Sequence, residues 1–372
     1  MAVLASQGAH AQELYTTSGG IIQEWDASTG SEVATTTDAV LDSSGNAETP
    51  IDVSLDGDTL YVTSQDNATG IATVSSYNAT TLATENTDVA SYTDTILDPN
   101  GTTNIGTITS TAFSNGTLYV LSNEGWYGAT SIEAVNVSTG ASSVLTYSQY
   151  DWMTGLTIDN GTIYTSGYIS GNVYSIDQTT GAVTNSDLIS LEGAIGGWGT
   201  GGFIASSGDL LYVEDWGDGD TTDLVPGSDL TYAQLTTPGT IGVYNTDGTL
   251  INEFFIPQNG QTPEGITIAD GTLYVSYGDG ETIEYNDSTG AEIGVITGLS
   301  ANPSLATADE GLFGDGPPPP IDTGLPEGSS TPSSTPEPKS IGFALAVLVA
   351  VVAIRRKSKS ESTSVGFGAA TA

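Results

Sequence analysis

Residues 263–275 read PEGITIADGTLYV, the clearest copy of a pattern that recurs along the chain. Apolar and polar residues alternate up to Asp270-Gly271, and a second alternating segment starts directly after this pair. Period-two alternation predicts half-buried strands, and an Asx-Gly pair between two such segments predicts a tight hairpin turn. The stretch therefore predicts two antiparallel strands joined by a two-residue turn.

A strand with a Leu-Tyr or Ile-Tyr pair recurs six times between residues 12 and 314. The tyrosines that mark it are Tyr15, Tyr61, Tyr119, Tyr164, Tyr212 and Tyr274. Four of these strands, those marked by Tyr61, Tyr119, Tyr164 and Tyr274, are preceded by an alternating strand like 263–269. The preceding strands contain Val53, Thr111, Leu156 and Ile266 respectively. A self-similar segment that recurs at intervals of this kind indicates a repeat architecture.

Each marked strand is followed by another strand-like segment and then by a turn. The clearest turns have the form Asx-x-x-Thr-Gly and start at Asp26, Asn136, Asp177 and Asn286. The turn at Asn245 is one residue shorter, and the one at Asn78 lacks the glycine. Asx side chains accept hydrogen bonds from nearby backbone N–H groups, and glycine tolerates positive φ, so each segment predicts a hairpin.

One repeat is therefore a four-stranded antiparallel blade, and the body of the chain is predicted to be an all-β, six-bladed β-propeller. Successive marker tyrosines are 46, 58, 45, 48 and 62 residues apart, which fits propeller blades with two insertions. The chain starts with a marked strand, and the orphan segment 303–313 resembles the missing first strand. We therefore expect 3+1 ring closure, in which this last strand joins the first three strands of the chain in one blade. A seventh blade would have to lie near 86–110 or 217–240.

The repeat resembles NHL-type and gluconolactonase-like six-bladed propellers. The resemblance is strongest in 263–275 and weaker in 153–158. It covers some 300 residues and concerns the fold. Gluconolactonase-like propellers hold a divalent cation on the axis with Glu, Asn and Asp side chains, which implies Glu264 as a candidate ligand-binding residue. Asp52, Asp151 and Asp309 occupy loosely similar positions, and solvated acids on loop tips are the alternative reading. Fold alone does not determine activity.

Charge and composition exclude several function classes. The 372 residues include 45 Asp plus Glu and 5 Lys plus Arg, and residues 1–338 contain no Lys or Arg. A nucleic-acid-binding face needs those bases, so none is expected there. Cys is absent and the one histidine is His10, so thiolate and histidine sites are excluded after the leader. We therefore assign no catalytic residue and expect a protein that is not an enzyme.

One loop is dense enough in acids to suit calcium. Residues 214–223 read EDWGDGDTTD. Carboxylates spaced in this way are hard oxygen ligands, and the glycines permit a tight wrap, although the spacing is not that of an EF-hand. The predicted Ca²⁺ ligands are Asp215, Asp218, Asp220 and Asp223; no other cofactor is expected. Bound cations or a saline habitat would also relieve the repulsion among so many acids.

Aromatic residues next to acids and amides indicate a carbohydrate surface. The candidate ligand-binding side chains are Trp126, Trp152, Trp198 and Trp216, which the pattern puts in loops at one end of the blades. Flat rings suit the apolar faces of sugars, although such residues also cap blade cores. Extracellular polysaccharide is the expected ligand class.

The two ends of the chain indicate export. Ala9-His10-Ala11 has the form of a signal-peptidase site. Residues 315–338 are rich in Pro, Ser and Thr, and 341–354 form an apolar run followed by basic residues at 355–359. As a helix that run would be about 21 Å long, short of a ~30 Å hydrocarbon core, and the bases would hold its end in the cytoplasm.

The C-terminal arrangement resembles the PEP-CTERM sorting signal of exosortase substrates. The matching elements are Pro336-Glu337-Pro338, the short apolar helix, and the bases that begin with Arg355 and Arg356; the 13 residues from Ser360 to Ala372 are longer than usual. The resemblance implies transient membrane insertion through 341–354, an exosortase-type processing enzyme as partner, and cleavage near the triplet. A simple single-pass anchor is the alternative.

These features predict five segments and one primary function. The segments are 1–11 residual signal peptide, 12–314 propeller, 315–338 linker, 339–359 sorting and transmembrane segment, and 360–372 disordered tail. We expect an exported binding or structural propeller at the cell surface or in extracellular matrix. The alternative is a divalent-metal-dependent hydrolase or lyase of the lactonase type.

Overall fold

The structure, a computed structural model, describes most of the repetitive body. The described residues are 13–18, 20–36, 50–66, 69–97, 103–124, 129–148, 151–168, 170–191, 201–215, 240–257, 261, 263–277, 280–298 and 304–307. The chain divides into two units, Met1–Thr323 and Gly324–Ala372, and every described residue lies in the first.

Three blades form the first half of the ring, each written from its inner to its outer strand. Blade 1 contains β26 (Ser304–Thr307), β1 (Glu13–Ser18), β2 (Ile21–Asp26) and β3 (Ser31–Thr35). Blade 2 contains β4 (Pro50–Asp56), β5 (Thr59–Asp66), β6 (Ile71–Asn78) and β7 (Thr84–Thr93). Blade 3 contains β10 (Thr107–Ser114), β11 (Thr117–Glu124), β12 (Ala129–Asn136) and β13 (Ala141–Ser148).

Three further blades complete the ring. Blade 4 contains β14 (Met153–Asp159), β15 (Thr162–Gly167), β16 (Asn172–Asp177) and β17 (Val183–Ser190). Blade 5 contains β18 (Gly201–Ser207), β19 (Leu210–Asp215), β20 (Thr240–Asn245) and β21 (Leu250–Ile256). Blade 6 contains β22 (Pro263–Ala269), β23 (Thr272–Tyr277), β24 (Glu281–Asn286) and β25 (Glu292–Thr297).

The prediction of six four-stranded antiparallel blades is confirmed. The region 86–110, one of the two places reserved for a seventh blade, contains the end of β7, the start of β10 and a two-stranded hairpin between them. That hairpin pairs β8 (Thr95–Leu97) with β9 (Thr103–Ile105). The second place, 217–240, is outside the described residues except for Thr240, where β20 begins.

Ring closure follows the predicted 3+1 scheme. Strand β26, from the orphan segment, pairs antiparallel with β1, with Leu305 opposite Thr16 and Ala306 opposite Tyr15. The first strand of blade 5, β18, has the sequence GGFIASS. Its irregular alternation concealed it in the sequence, although the Ser207-Gly208-Asp209 turn after it has the usual composition.

The Asx-x-x-Thr-Gly turns are built by their own side chains. In blade 4, the Asp177 carboxylate accepts hydrogen bonds from the N–H groups of Thr179 and Thr180 and from the Thr180 hydroxyl at 2.7 Å. Gly181 follows with φ +69°, in the region that glycine tolerates best. In blade 2, which lacks this glycine, Leu82 adopts φ 51° at the equivalent position and is 6% exposed.

Two of the marker tyrosines join their blade to the turn of the next one. The Tyr212 hydroxyl of blade 5 donates to the backbone carbonyl of Asp287 in the turn of blade 6, at 3.0 Å. The Tyr119 hydroxyl of blade 3 makes the corresponding contact with the carbonyl of Gln178 in blade 4, at 3.5 Å. The two sequence signatures therefore meet at the seams between blades.

The core consists of hydrophobic clusters that lie between blades. The cluster around Leu55, Leu60 and Tyr15 joins blades 1 and 2, and the cluster around Leu305, Trp25 and Tyr274 joins blades 6 and 1. The other four clusters among the described residues fill the remaining four seams. Since burying one large apolar side chain contributes about 1.5–3 kcal/mol, stability resides mainly in the seams.

Across the described blades, no helix has the length and apolarity needed to span a membrane. The apolar run 341–354 is outside those residues, so its predicted insertion stays a prediction.

Candidate ligand-binding channel

The inner strands of the six blades surround the axis, and buried polar side chains fix where they start. Gln65, on β5, donates to the carbonyl of Gly106 at 2.8 Å, just before β10. Asn123, on β11, donates to the carbonyl of Met153 at 2.5 Å, the first residue of β14. Ser166, on β15, donates to the carbonyl of Gly202 in β18. A polar residue near the end of one blade's second strand thus positions the next inner strand.

A β-bulge interrupts the inner strand of each of blades 2 to 6 near its start. The register shifts lie between Pro50 and Asp52, Ile108 and Ser110, Met153 and Gly155, Gly201 and Ile204, and Pro263 and Gly265. A bulge adds an unpaired residue and redirects its side chain. The unpaired residues of these bulges include Ile51, Thr109, Phe203 and Glu264. All four line the cavity on the axis.

This cavity, here called the central channel, has a volume of about 710 Å³. It extends from the bulges to the turns after the inner strands, such as Asn115-Gly116 and Asn160-Gly161. The polar residues of its lining include the hydroxyl-bearing Thr109, Ser110, Thr111, Ser114, Thr157, Ser206, Ser207 and Thr267 and the acidic Asp52, Asp56, Asp159 and Glu264. A volume of this size lies within the range of ligand pockets.

Several hydroxyl groups of the lining connect neighbouring blades. The Thr157 and Ser206 hydroxyls are 2.7 Å apart across the seam between blades 4 and 5. The Ser54 and Thr111 hydroxyls are 3.0 Å apart across the seam between blades 2 and 3. Ser54 is buried and is not part of the lining, whereas Thr157 and Ser206 both line the channel. Because a hydroxyl has one donor and two acceptor positions, the Thr157–Ser206 pair can still bond to a ligand.

Glu264 is the sequence-predicted site residue that the structure places in the central channel. It is the bulge residue of β22, and its side chain is half-buried. Burial raises the pKa of the Glu264 carboxyl above its ordinary value of 4.5. Among the described residues, no group donates a hydrogen bond to this carboxylate.

The two weaker carboxylate candidates within the described residues have structural roles. Asp52 also lines the channel, but it accepts hydrogen bonds from the Thr111 N–H at 2.5 Å and from the Thr111 hydroxyl at 3.0 Å. Asp151, which is 3% exposed, accepts hydrogen bonds from the Ser170 and Tyr174 hydroxyls, each at 2.6 Å. Asp309 is outside the described residues. The sequence did not reveal these partners, because they lie 19 to 59 positions away.

Trp152 is the one predicted aromatic site residue that is described. It precedes β14 and contacts Tyr168 edge to face, with ring centroids 5.8 Å apart. It is partly exposed and lies outside the channel lining. Trp126, Trp198 and Trp216 are outside the described residues, so a carbohydrate-binding role for the four tryptophans stays a prediction.

The predicted calcium loop is almost wholly outside the described residues. Asp215 is the last residue of β19, opposite Gly201, and Asp218, Asp220 and Asp223 are beyond the described part. Within the described ranges, no group of three or more His, Asp or Glu side chains could hold a metal ion. The sorting residues 336–338, 355 and 356 are also outside those ranges.

Buried carboxylates without a basic partner are a general feature of this propeller. Glu24 is 4% exposed, and its pKa is raised by burial and by the charge of Glu13. Asp94 is 4% exposed, and burial raises its pKa although the Gln65 amide donates a hydrogen bond to it at 3.2 Å. Burial also raises the pKa values of Glu133, Asp159, Glu284 and Asp287.

These shifts predict that the propeller becomes more stable on mild acidification. A carboxyl whose folded pKa is raised binds its proton more tightly in the folded state, so the free energy of unfolding falls as pH rises through that pKa. When the pH is lowered from 8 to about 5, we expect the melting temperature to rise by roughly 3 °C or more. Below about pH 4 the trend reverses, because hydrogen bonds in the turns lower the pKa values of Asp26, Asp177 and Asp247.

Thermal unfolding at several pH values tests this expectation. Glu24→Gln removes a buried charge and should raise the melting temperature at pH 8 while reducing its dependence on pH. Glu85→Gln, at an exposed position on β7, removes the same charge from the surface and is the control. A melting temperature that falls steadily from pH 8 to pH 5 would contradict the prediction.

Comparison with known proteins supports the fold and goes no further. No family model matches the chain, and no curated protein matches it. A chain in the crystal structure of the nidogen/laminin complex is similar, with a TM-score of 0.52 and 12% identity, over 81% of this chain and 99% of that one. At this identity the similarity shows the fold alone.

Two other solved structures share less of the geometry. The computationally designed Ika8 protein has a TM-score of 0.42 and 15% identity, over 78% of this chain and 89% of that one. BamB from Moraxella catarrhalis has a TM-score of 0.37 and 16% identity, over 78% of this chain and 75% of that one. Neither score is high enough to support an argument about function.

Proposed function

We propose that this protein is an exported β-propeller that binds extracellular polysaccharide in its central channel and is processed at its C-terminus by an exosortase-type enzyme. The observation that carries the binding role is the channel itself. It has a volume of about 710 Å³, and the Ser and Thr hydroxyls that blades 3 to 6 contribute to it suit a polyhydroxylated ligand. Such groups can exchange hydrogen bonds with sugar hydroxyls.

Charge narrows the ligand to neutral or cationic polymers. Residues 1–338 contain 44 acids and no Lys or Arg, and four carboxylates line the channel. An anionic polymer would be repelled and would find no basic partner inside the protein. We therefore expect neutral oligosaccharides to bind and polyuronates to be rejected.

Calorimetric titration of the full chain with a neutral β-linked oligosaccharide tests the binding role. Thr157→Val keeps the shape of the side chain and removes a channel hydroxyl, so affinity should fall by about fivefold to tenfold. Thr297→Val makes the same change on an exposed outer strand and should leave affinity unchanged. Equal affinities for all three proteins would exclude the channel as the binding site.

The lactonase-type alternative makes an opposite prediction. Hydrolysis of gluconolactone that depends on added Ca²⁺ or Zn²⁺ and is lost in Glu264→Gln would overturn the binding role. A single observation favours this alternative, namely the carboxylate that β22 places in the channel.

Export and sorting are supported by the sequence elements at the C-terminus. The order of triplet, apolar run and basic cluster resembles that of a signal which is cleaved after insertion. The intact mass of the protein from cell envelope and medium of its native host is the test. A mature form that ends near Pro338 supports sorting, whereas a full-length, membrane-extracted species overturns it.

A further inference from the structure

The four carboxylates that line the central channel differ in their hydrogen-bond partners. Asp52 is bonded to Thr111, and Asp159 accepts a hydrogen bond from the Asn160 amide at 3.0 Å. Asp56, the last residue of β4, is exposed to solvent. Glu264 combines partial burial with the lack of any hydrogen-bond donor among the described residues.

A carboxylate held in this state loses part of its hydration. Partial burial removes water from the charge, and a hydrogen bond or an opposite charge normally compensates for that loss. Residues 1–338 have no Lys or Arg to provide the opposite charge. A cationic ligand in the channel would provide it.

The chemistry of the surroundings selects a protonated amine over a divalent metal. Calcium takes six to eight oxygen ligands, and within the described residues no group of three or more acids or histidines could hold a metal ion. An ammonium group needs one charged partner and has three donors, which hydroxyl and carbonyl oxygens can accept. Thr267, three residues after Glu264 on β22, belongs to the same lining.

We propose that the central channel binds a ligand that carries a protonated primary amine flanked by hydroxyl groups, with Glu264 as the partner of the ammonium. This inference rests on the proposed function, since it specifies which extracellular polysaccharide the channel takes: one with free amino sugar units. The bulge in β22 is the device that places the carboxylate in the channel.

Titration of the full chain with two matched oligosaccharides tests the inference. The glucosamine tetramer carries free amines that are protonated at pH 6, and the N-acetylglucosamine tetramer has the same backbone without the charge. We expect the first to bind at least tenfold more tightly at low ionic strength, and the difference to shrink in high salt. In Glu264→Gln the two affinities should become equal.

Glu284→Gln is the matched control. Glu284 is a partly buried glutamate on β24, away from the channel lining, and burial raises its pKa as it does that of Glu264. Its replacement removes the same charge, so it should retain the preference for the amine. An equal loss in both variants would mean that the overall negative field attracts the amine, and would overturn the role of Glu264.

The remaining outcomes separate this inference from the proposed function. Equal affinity of the wild-type protein for both tetramers overturns the amine preference and leaves polysaccharide binding in place. Binding of neither tetramer overturns both. If Glu264→Gln still prefers the glucosamine tetramer, the amine binds at another carboxylate, and this result also contradicts the proposal.

Discussion

Replacing Gly181 with alanine should destabilise the propeller by about 3 kcal/mol, whereas the same change at Gly116 should cost about 1 kcal/mol. Both glycines have positive φ, +69° and +78° respectively. A Cβ on Gly116 would meet no atom within 4 Å, so Gly116→Ala measures the cost of the backbone conformation alone. A Cβ on Gly181 would overlap the carbonyl oxygen of Leu145 on β13, the outer strand of the preceding blade.

The additional cost at Gly181 arises because a backbone carbonyl cannot move aside as a flexible side chain can. Blades 3 and 4 would have to separate, which would loosen the cluster that joins them. Denaturant unfolding of the two variants and the wild-type protein measures the difference. Equal destabilisation of Gly181→Ala and Gly116→Ala would show that the seam accommodates the methyl group.

The same contact recurs in other seams. A Cβ on Gly140 would lie 2.6 Å from the carbonyl oxygen of Val89, and one on Gly30 would lie 3.4 Å from that of Val295. A Cβ on Gly248 or Gly290 would overlap the carbonyl oxygen of Leu188 or Phe255 respectively. The glycine of the turn therefore serves two purposes, a positive φ and a close approach between blades.

The sequence was sufficient to predict the blades because each strand and turn depends on local chemistry. Alternation predicted strands such as β22, and the Asx and Thr side chains of the turns bond within five residues. Even ring closure was predictable, since the first marked strand lacks a preceding strand and an orphan strand follows the last blade. Strand β18 was missed because Gly201 and Gly202 interrupt its alternation.

The site was less predictable, because its geometry depends on contacts between blades. Glu264 could be singled out by its position before a strand, but the bulge that directs it into the channel appears only in the pairing of β22 with β23. The hydroxyl pair of Thr157 and Ser206 joins residues 49 positions apart. No local pattern indicates such a pair.

Leu305→Ala, in the strand that closes the ring, should destabilise the protein by about 3 kcal/mol. Leu305 is 7% exposed and belongs to the cluster of Leu14, Trp25, Tyr274 and Ile296, which joins the first and last blades. Shortening the Leu305 side chain to that of alanine would leave a cavity in the seam that joins the two ends of the propeller.

Leu250→Ala makes the same chemical change on the outer strand β21, where the side chain is 50% exposed, and should cost less than about 0.5 kcal/mol. Chemical unfolding of both variants gives the comparison. Because β26 holds β1 through four residue pairs, weakening it should also speed unfolding, as the ring opens where its ends meet. A cost for Leu305→Ala as small as that for Leu250→Ala would show that blade 1 is stable with three strands and that closure adds little.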